Sequence, residues 1–386
     1  MKKPIIIFVS VLLSIFLFAH EWVFAGKINV NSASLEVIDN DTIKLKAVQL
    51  NDKTFHMQCS WNERKKIWSV DELSRSDWNV HNTMPTGGYW GATAVLYDKL
   101  YVFGGGGGRY NSVEVFDTIS EEWTQKKDYS SLSHLVRAVT VWSTIYVLND
   151  DGEFFQYYPD TDTWETLPDA PTPGWISELV QINENIYVFG GYGDDGVVNL
   201  TWEYNTNSEV WTEKTSMPTA RYGSATAVFK EKIYVLGGGY GSDVNECYNP
   251  ATDSWEELSS LSVLFNGWGV AGPSNGQIIL VEAEDGTTIA YDPETDSYEI
   301  LESIPTPREG YIMGDSIQNS LFVVGGNDEQ AQDKVESYQY RIPADRQNKT
   351  KVLSTESLQP EDIDPDEKYK EHRKKYQLLQ ELIESR

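Results

Sequence analysis

The stretch from Met217 to Trp255, MPTARYGSATAVFKEKIYVLGGGYGSDVNECYNPATDSW, has the composition of four short β-strands joined by turns. Its first two apolar, β-branched runs are separated by the polar residues 230–232, which favours a tight hairpin. The glycines within 237–241 end the second run, because glycine readily adopts the positive φ angles of turns. Residues 249–253 also have turn chemistry. The pattern predicts strands at Ala225–Phe229, Ile233–Leu236 and Val244–Tyr248, and a fourth that begins near Trp255.

Two markers of this stretch recur along the chain at nearly constant spacing. The hydrophobic residue at the start of the second strand recurs at Leu100, Ile145, Ile186, Ile233, Ile278 and Leu321, at intervals of 45, 41, 47, 45 and 43 residues. The aromatic residue at the start of the fourth strand recurs at Trp78, Trp123, Trp164, Trp211, Trp255 and Tyr298, at intervals of 45, 41, 47, 44 and 43. A unit of about forty residues with four antiparallel strands cannot bury its faces alone, so the copies predict the blades of a β-propeller.

The motif IYVFGG…EYNTNSEVW, between Ile186 and Trp211, resembles the kelch repeat, in which a diglycine follows the second strand and an aromatic pair flanks the third turn. The resemblance covers residues 76–341 and implies a kelch β-propeller. The second and fifth repeats have Asn149-Asp150 and Val281-Glu282 in place of the diglycine, and we expect those two blades to turn differently. The aromatic pairs, always seven residues apart, are Phe116/Trp123, Tyr157/Trp164, Tyr204/Trp211, Tyr248/Trp255 and Tyr291/Tyr298.

The two ends of the repeat region are incomplete in complementary ways. The sixth repeat has a third strand at Val335–Arg341 but no fourth strand after it. Trp78, within residues 76–81, has the phase of a fourth strand but no three strands before it. We therefore predict an all-β, six-bladed propeller with four-stranded blades over residues 76–343, in which the N-terminal strand closes the last blade and leaves no open sheet edge. A seven-bladed ring would require residues 27–75 to supply a whole blade.

The first 25 residues have the pattern of a secretory signal peptide. Lys2 and Lys3 precede a run of 15 apolar residues, and Val23-Phe24-Ala25 ends in a small residue that predicts cleavage after Ala25. We expect a secreted or periplasmic protein with no stable membrane insertion after cleavage. The alternative is an uncleaved anchor, although a run of 15 residues is short for a membrane span.

Residues 26–75 lack the diglycine, and we expect a small N-terminal β appendage there. The segment 34–45, SLEVIDNDTIKL, resembles the first hairpin of staphylococcal-nuclease-like domains, but the later catalytic positions of such domains have no match. A degenerate blade fragment is the alternative, since Trp61 and Trp68 are also seven residues apart. Cys59 and Cys247 are the only cysteines, which excludes a disulfide scaffold and leaves a bridge between them open.

The C-terminal region is polar and acidic. Residues 344–365 have the composition of a linker. Residues 366–386 favour a short helix whose apolar residues fall on one face, which could dock on its own domain or contact a partner. The apolar residues of that face are Tyr369, Tyr376, Leu379 and Ile383.

The formal net charge of −28 over 386 residues excludes nucleic acid as an expected partner, because so acidic a chain repels phosphate backbones. We expect no cofactor and no metal. The glycines of 104–108 lack the Lys-Ser/Thr and the helix of a phosphate-binding loop. The acidic pairs at 150–151 and 194–195 and the acidic run 282–285 lack the ligand spacing of a calcium loop.

A ligand is expected at the end of the propeller where the loop before each first strand and the loop after each diglycine open together. Kelch proteins commonly bind through these loops, and the resemblance makes this end the candidate site. Aromatic faces there would stack on sugars, and arginines would hold carboxylates or hydroxyls. Alternatively, the aromatic residues plug the mouth of the channel and the arginines donate hydrogen bonds to backbone carbonyls of the neighbouring blade. The candidate residues are Trp90, Arg109, His134, Trp175, Arg221, Tyr222, Trp268, Arg308 and Tyr311.

The first functional hypothesis is a secreted, non-enzymatic binding module for a glycan or protein partner, with no assigned catalytic residue. The alternative is a carbohydrate-active enzyme of the sugar mutarotase or epimerase kind, which some kelch proteins are, with Glu178 or Glu309 beside Arg221 or Arg308 as acid and base. The copper-radical oxidases of the same fold need two histidines and a crosslinked tyrosine. Only His134 lies on the candidate face, which excludes that chemistry.

Overall fold

The computed structural model describes residues 78–339, apart from 132–134, 172–173, 176–177, 195, 240–241, 266–268, 309–310 and 327–332, and the β-strand backbone alone within the first 77 residues. The expected linker 344–365 and helix 366–386 lie outside the described residues. In the part of the chain that is described, no helix is long and apolar enough to span a membrane.

Eight strands precede the repeats. β1 pairs with β4 and β2 with β3, and each of these strands has two residues: β1 (Leu12–Leu13), β2 (Leu17–Phe18), β3 (Glu21–Trp22) and β4 (Gly26–Lys27). The next four form one antiparallel sheet in chain order: β5 (Ser34–Val37), β6 (Thr42–Leu50), β7 (Lys53–Asn62) and β8 (Ile67–Arg75). The hairpin expected at 34–45 therefore belongs to a four-stranded sheet. The signal peptide and its cleavage stay a prediction.

Six further sheets each contain an antiparallel run of four strands, ordered from the inner strand outward, and are called blades 1 to 6. Blade 1 comprises β10 (Ala92–Leu96), β11 (Lys99–Gly105), β12 (Tyr110–Asp117) and β13 (Glu122–Lys126). Blade 2 comprises β14 (Val136–Val141), β15 (Thr144–Asn149), β16 (Phe154–Tyr158) and β17 (Thr163–Leu167). Blade 3 comprises β19 (Glu178–Ile182), β20 (Asn185–Gly193), β21 (Gly196–Asn205) and β22 (Val210–Glu213), with the additional β18 (Gly174–Trp175) paired to β20.

The remaining blades follow the same order. Blade 4 comprises β23 (Ala225–Phe229), β24 (Lys232–Leu236), β25 (Asn245–Asn249) and β26 (Ser254–Glu257). Blade 5 comprises β27 (Val270–Ser274), β28 (Gln277–Val281), β29 (Thr288–Asp292) and β30 (Ser297–Ile300). Blade 6 comprises β31 (Met313–Ile317), β32 (Ser320–Val324), β33 (Val335–Tyr338) and β9 (Trp78–Val80). The four strands read from residues 217–255 are therefore confirmed to within one residue at each boundary given.

The ring closes as the sequence predicts. The innermost strands contact one another in the order β10, β14, β19, β23, β27, β31 and back to β10. β9 pairs antiparallel with β33, with Trp78 opposite Tyr338 and Val80 opposite Glu336. The six-bladed architecture, and its closure by a strand from the N-terminal side of the repeats, are confirmed.

Each aromatic pair joins its own blade to the blade before it. The two members lie directly opposite each other on the third and fourth strands, because seven residues span one tight hairpin. The closing strand adds a sixth pair, Trp78 and Tyr338, whose ring centroids are 5.2 Å apart. The fourth-strand residue of every pair donates a hydrogen bond to a backbone carbonyl of the region between blades: Trp78 to Glu302, Trp123 to Asn82, Trp164 to Lys127, Trp211 to Pro168, Trp255 to Thr215 and Tyr298 to Ser259.

The turns after the second strands differ as expected. All four diglycines have positive φ at both residues, for example 65° and 140° at Gly237 and Gly238. None of the residues Asn149, Asp150, Val281 and Glu282 has a positive φ. Side chains hold these two turns instead. The Asn149 side-chain oxygen accepts from the backbone amides of Asp151 and Glu153, and Glu282 accepts from that of Asp285.

Cys247 lies in the core of blade 4, is 3% exposed and is a free thiol. Burial raises the pKa of this thiol to about 11, so it is not a reactive group.

Trp78→Ala is expected to destabilise the propeller by about 3–5 kcal/mol, because the side chain is fully buried and its loss leaves a cavity at the ring closure. Urea denaturation measures this change. Trp78→Phe is the matched control, since it keeps much of the packing and removes mainly the indole hydrogen bond, at about 1 kcal/mol. An alanine variant as stable as the wild type would contradict the role of this strand in closure.

Candidate functional site

The loop before the first strand of a blade is here called its leading loop. The leading loops and the loops after the second strands meet at one end of the ring, here called the loop face. Backbone hydrogen bonds join them: the amide of Gly106 donates to Tyr89, that of Gly239 to Tyr222, and that of Gly326 to Gly88. The last of these bonds links blade 6 to blade 1. The turns between first and second strands lie at the opposite end, because a strand separates the two sets of loops.

Arg221 and Arg308 of the leading loops point into the protein. They are 4% and 1% exposed. Arg221 forms an ion pair with Glu246 of β25 and donates to the backbone carbonyls of Gly237 and Val244. Arg308 forms an ion pair with Glu336 of β33 at 2.6 Å and donates to the carbonyl of Gly325. Both arginines thus tie a leading loop to the first glycine of a diglycine and to the third strand. The alternative from the sequence, that they bond backbone carbonyls, is right about the kind of partner, but these partners lie in the same blade and not in the neighbouring one.

Arg109 performs the same task from a different loop. The leading loop of blade 1, MPTGGYW, has Gly88 at the position of Arg221 in MPTARYG. A Cβ atom on Gly88 would overlap the Cδ atom of Arg109, so the Arg109 side chain fills the space of the missing one. Arg109 contacts Glu114 of β12 at 2.5 Å and donates to the carbonyl of Gly104. We call each such buried arginine–glutamate pair a clamp. Blade 1 has a clamp like those of blades 4 and 6, although its arginine comes from the loop after the second strand and not from the leading loop.

Burial lowers the pKa of Arg221 to about 10. In the Arg308–Glu336 pair it acts on both members: it lowers the pKa of Arg308 and raises the pKa of Glu336, because each charge has left water. A buried guanidinium that is already paired has few donors left for a ligand. The three arginines named as candidates are therefore structural anchors of the loop face in this structure.

The aromatic candidates are arranged differently. Trp90 has a φ of 64°, a left-handed conformation that is strained for a bulky residue. Its ring makes edge contacts with Tyr89 at 5.1 Å and with Tyr311 at 5.6 Å between centroids. Trp90 and Tyr311 precede the first strands of blades 1 and 6, so they meet at the junction of these two blades.

A second aromatic group lies on blades 3 and 4. Trp175 is 52% exposed and its ring lies 6.1 Å from that of Tyr192, which is 43% exposed. Tyr192 in turn makes an edge contact with Tyr222 at 5.7 Å. These three residues form a continuous, solvent-facing group, here called the aromatic shelf. Tyr192 follows the diglycine of blade 3 and was not among the sequence candidates.

Arg137 and Glu178 form a charged pair that the sequence reasoning did not find. Arg137 faces Leu148 of its second strand, and Glu178 faces Phe189, so the two occupy equivalent positions in neighbouring blades. The Nε atom of Arg137 lies 3.6 Å from Glu178 Oε2, and the guanidinium lies 5.9 Å from the centre of the Tyr311 ring. Blades 1 and 4 have Ala92 and Ala225 at this position. A charged residue where these repeats have alanine was the sequence signal that could have identified the pair.

The electrostatics of this pair differ from those of the buried clamps. Burial raises the pKa of Glu178 to about 7, although Arg137 acts in the opposite direction. A carboxyl group with a pKa near neutrality can both accept and donate a proton at physiological pH. Glu178 thus pairs with Arg137, and not with Arg221 or Arg308 as the mutarotase hypothesis assumed.

His134, Trp268 and Glu309 lie outside the described residues, and their assignment to the loop face stays a prediction. Among the residues that are described, no group of three or more His, Cys, Asp or Glu side chains could hold a metal ion.

Comparison with known proteins agrees with the geometry. Models of the Kelch motif match residues 91–128 and 220–262, and a second Kelch motif model matches residues 179–218. Kelch motifs are thus present in blades 1, 3 and 4 of the propeller. Its solved counterparts include a protein described as "Structure of YjhT", with a TM-score of 0.57 and 16% identity over 66% of this chain and 95% of that chain, a likeness of fold alone.

Curated relatives share these repeats. Kelch-like protein 35 of Mus musculus is 24% identical over 183 residues, which cover 45% of this chain and 31% of the relative. Kelch-like protein terF of Aspergillus terreus is 25% identical over 184 residues, which cover 47% and 32%. The chain thus spans about a third of the length of the curated relatives it matches.

Arg308→Met is expected to destabilise the kelch propeller by about 3–5 kcal/mol, because it leaves Glu336 buried without its partner. The double variant Arg308→Met/Glu336→Met should recover much of this loss, since no unpaired charge remains. Urea unfolding of the wild type, of Arg308→Met, of Glu336→Met and of the double variant gives the coupling energy between the two residues. Glu294→Gln is the control: it breaks the exposed pair with Lys230 and should change stability by about 1 kcal/mol or less. If the losses of unfolding free energy in the two single variants simply added in the double variant, Arg308 and Glu336 would not stabilise each other.

Glu178→Gln is expected to stabilise the protein at pH 8 and to have little effect near pH 4. The folded-state pKa of Glu178 lies above the ordinary value, so the stability that the neutral carboxyl contributes is lost as pH rises through about 7. Glutamine mimics the neutral form at every pH. Thermal unfolding from pH 4 to pH 8 measures the effect, with Glu256→Gln, an exposed residue of β26, as control. A difference independent of pH would exclude this titration.

Proposed function

We propose that this kelch propeller is a secreted, non-enzymatic binding module that holds a glycan through the loop face. The aromatic shelf carries the proposal, because three contacting aromatic rings, two of them substantially exposed, form a surface on which the C–H faces of sugars stack. Arg137 and Glu178 lie at the same end and supply polar groups for hydroxyls or a carboxylate. A protein partner on the same face is the competing occupant.

The Arg221–Glu246 pair supports this proposal. It is buried and fixes the leading loop that carries Tyr222, whose ring contacts Tyr192 of the shelf. A preorganised surface of this kind loses little conformational freedom when a ligand binds. Secretion is part of the proposal, and it rests on the N-terminal sequence pattern. The mass of the protein exported by a bacterial host would show whether cleavage occurs after Ala25.

A specific observation favours a second function, that of a mutarotase or epimerase. Glu178, with its pKa near 7, could exchange a proton with a sugar while Arg137 orients it. Anomer interconversion of freshly dissolved sugars, followed by NMR with the wild type and with Glu178→Gln, tests this reading. Acceleration by the wild type alone would replace the binding proposal by an enzymatic one.

Trp175→Ala is expected to weaken glycan binding by about tenfold or more with almost no change in the unfolding temperature, because the side chain is half exposed. A glycan array identifies the ligand, and calorimetry measures the affinity. Arg221→Ala is the contrasting variant, and it should lower stability because it leaves Glu246 buried without its partner. If Trp175→Ala bound the array ligands as tightly as the wild type, the aromatic shelf would not be the binding surface.

A further inference from the structure

His81 follows directly after the closing strand β9 and lies where blades 6 and 1 meet. Both nitrogens of its ring have partners. The Nδ1 atom lies 3.1 Å from Glu121 Oε1, in the turn before β13 of blade 1, and the Nε2 atom lies 2.8 Å from Ser337 Oγ on β33 of blade 6. The ring stacks on Phe322 of blade 6 at 5.0 Å between centroids and makes an edge contact with Phe116 of blade 1 at 5.8 Å. One imidazole thus joins the two blades at the junction that closes the ring.

The corresponding turns of blades 2, 4 and 5 are held without a histidine. In each of them an aspartate accepts a hydrogen bond, at 2.7 or 2.8 Å, from the tyrosine five residues earlier, and another from a backbone amide of the segment before the blade. The aspartates are Asp162, Asp253 and Asp296, and each has a positive φ, as Glu121 has. Blade 1 has Phe116 in place of the tyrosine, so no hydroxyl is available and His81 bonds to Glu121 instead.

This replacement gives the junction a group whose charge ordinarily changes near neutral pH. Tyrosine and aspartate keep their protonation states between about pH 5 and 8. A neutral imidazole has one N–H group, which can donate to Glu121 while the other nitrogen accepts from Ser337. An imidazolium donates to both and adds a positive charge beside the carboxylate. The hydrogen bond from His81 lowers the pKa of Glu121, so this carboxyl group is ionised throughout the range in which histidine ordinarily gains its proton.

We propose that His81, Glu121 and Ser337 form a pH-sensitive latch that holds blades 6 and 1 together more tightly in mildly acidic solution than at pH 8. Where histidine is protonated and Glu121 is ionised, the latch has an ion pair and a second donated hydrogen bond. The contribution of the ion pair is lost as the pH rises through the histidine range. It is also lost as the pH falls through the lowered pKa of Glu121, so the latch is strongest between these two limits.

The other charged groups of the elements that contact His81 have partners of their own. The strand β32 (Ser320–Val324) carries no titratable side chain. The exposed Glu122 begins β13, and Tyr110 lies at the far end of β12 from Phe116. On β33 and β12, Glu336 pairs with Arg308, Glu114 with Arg109 and Asp117 with Lys99, while Tyr338 packs on Trp78.

Asp315 is a second titratable group of the same junction, on the inner strand β31. Its carboxyl group accepts a hydrogen bond from the backbone amide of Val95 on β10, and burial raises its pKa to about 6. The stability that its neutral form contributes is therefore lost as the pH rises through about 6. This effect has the same sign as that of the latch, so a pH dependence of the junction alone does not distinguish the two. A mutant cycle between His81 and Glu121 does.

The test compares the full-length wild type, His81→Gln, Glu121→Gln and the double variant at pH 5.5 and at pH 8. Mass spectrometry measures the hydrogen-exchange protection of the peptide 78–84, corrected for the intrinsic exchange rate at each pH. At pH 5.5 each single variant should lose about fivefold in protection, as expected for a partly exposed ion pair, and the double variant no more than either. At pH 8 the losses should be about twofold or less. The peptide 254–257 of blade 4 should be unchanged throughout.

Two further variants make the result specific. Glu122→Gln removes the neighbouring exposed carboxylate and should leave the protection of residues 78–84 unchanged at both pH values. In an Asp315→Asn background, the coupling between His81 and Glu121 should persist at pH 5.5. A coupling that is equal at the two pH values, larger at pH 8, or absent from the Asp315→Asn background would overturn the proposal.

Discussion

The antiparallel pairing of Trp78–Val80 with Val335–Tyr338 is the constraint on which the rest of the structure depends. Without it, blade 6 would have three strands and an open edge, and the ring would be held only by the contacts of its inner strands. With it, the sixth blade acquires the same aromatic pair as the others, and the Trp78 indole bonds to the region before it as every other pair does. The repeat is completed by residues that are about 260 positions apart.

Closure also determines what the loop face can be. Because the blades form a ring, the loop of one blade lies against the loop of the next, and Gly326 of blade 6 donates to Gly88 of blade 1. The three arginine–glutamate pairs then fix these loops to the sheet below. The replacement of a leading-loop arginine by Arg109 shows that the constraint applies to the place of the guanidinium and not to the position in the repeat. One of these pairs, Arg221–Glu246, fixes the leading loop that carries Tyr222 of the aromatic shelf.

The loop face combines the aromatic shelf with the Arg137–Glu178 pair. Aromatic rings offer an apolar surface, and the charged pair offers polar groups beside it. This combination is the basis of the proposal that the loop face holds a polyhydroxylated ligand.

Much of the fold follows from the sequence alone. The spacing of the second-strand and fourth-strand markers determined the number of blades, the aromatic pairs and the closing strand, because each depends on local periodicity and on the need to complete every sheet.

The tertiary structure alone decided which charged residues are buried and which partners they have. Arg221, Arg308 and Arg109 were candidates for ligand binding, and their burial depends on glutamates of third strands, whose facing positions spacing does not reveal. Arg137 and Glu178 are 41 residues apart and meet only because neighbouring blades bring equivalent positions together. Periodicity specifies which strands pair, whereas the partner of a charge depends on the surfaces that the closed ring brings into contact.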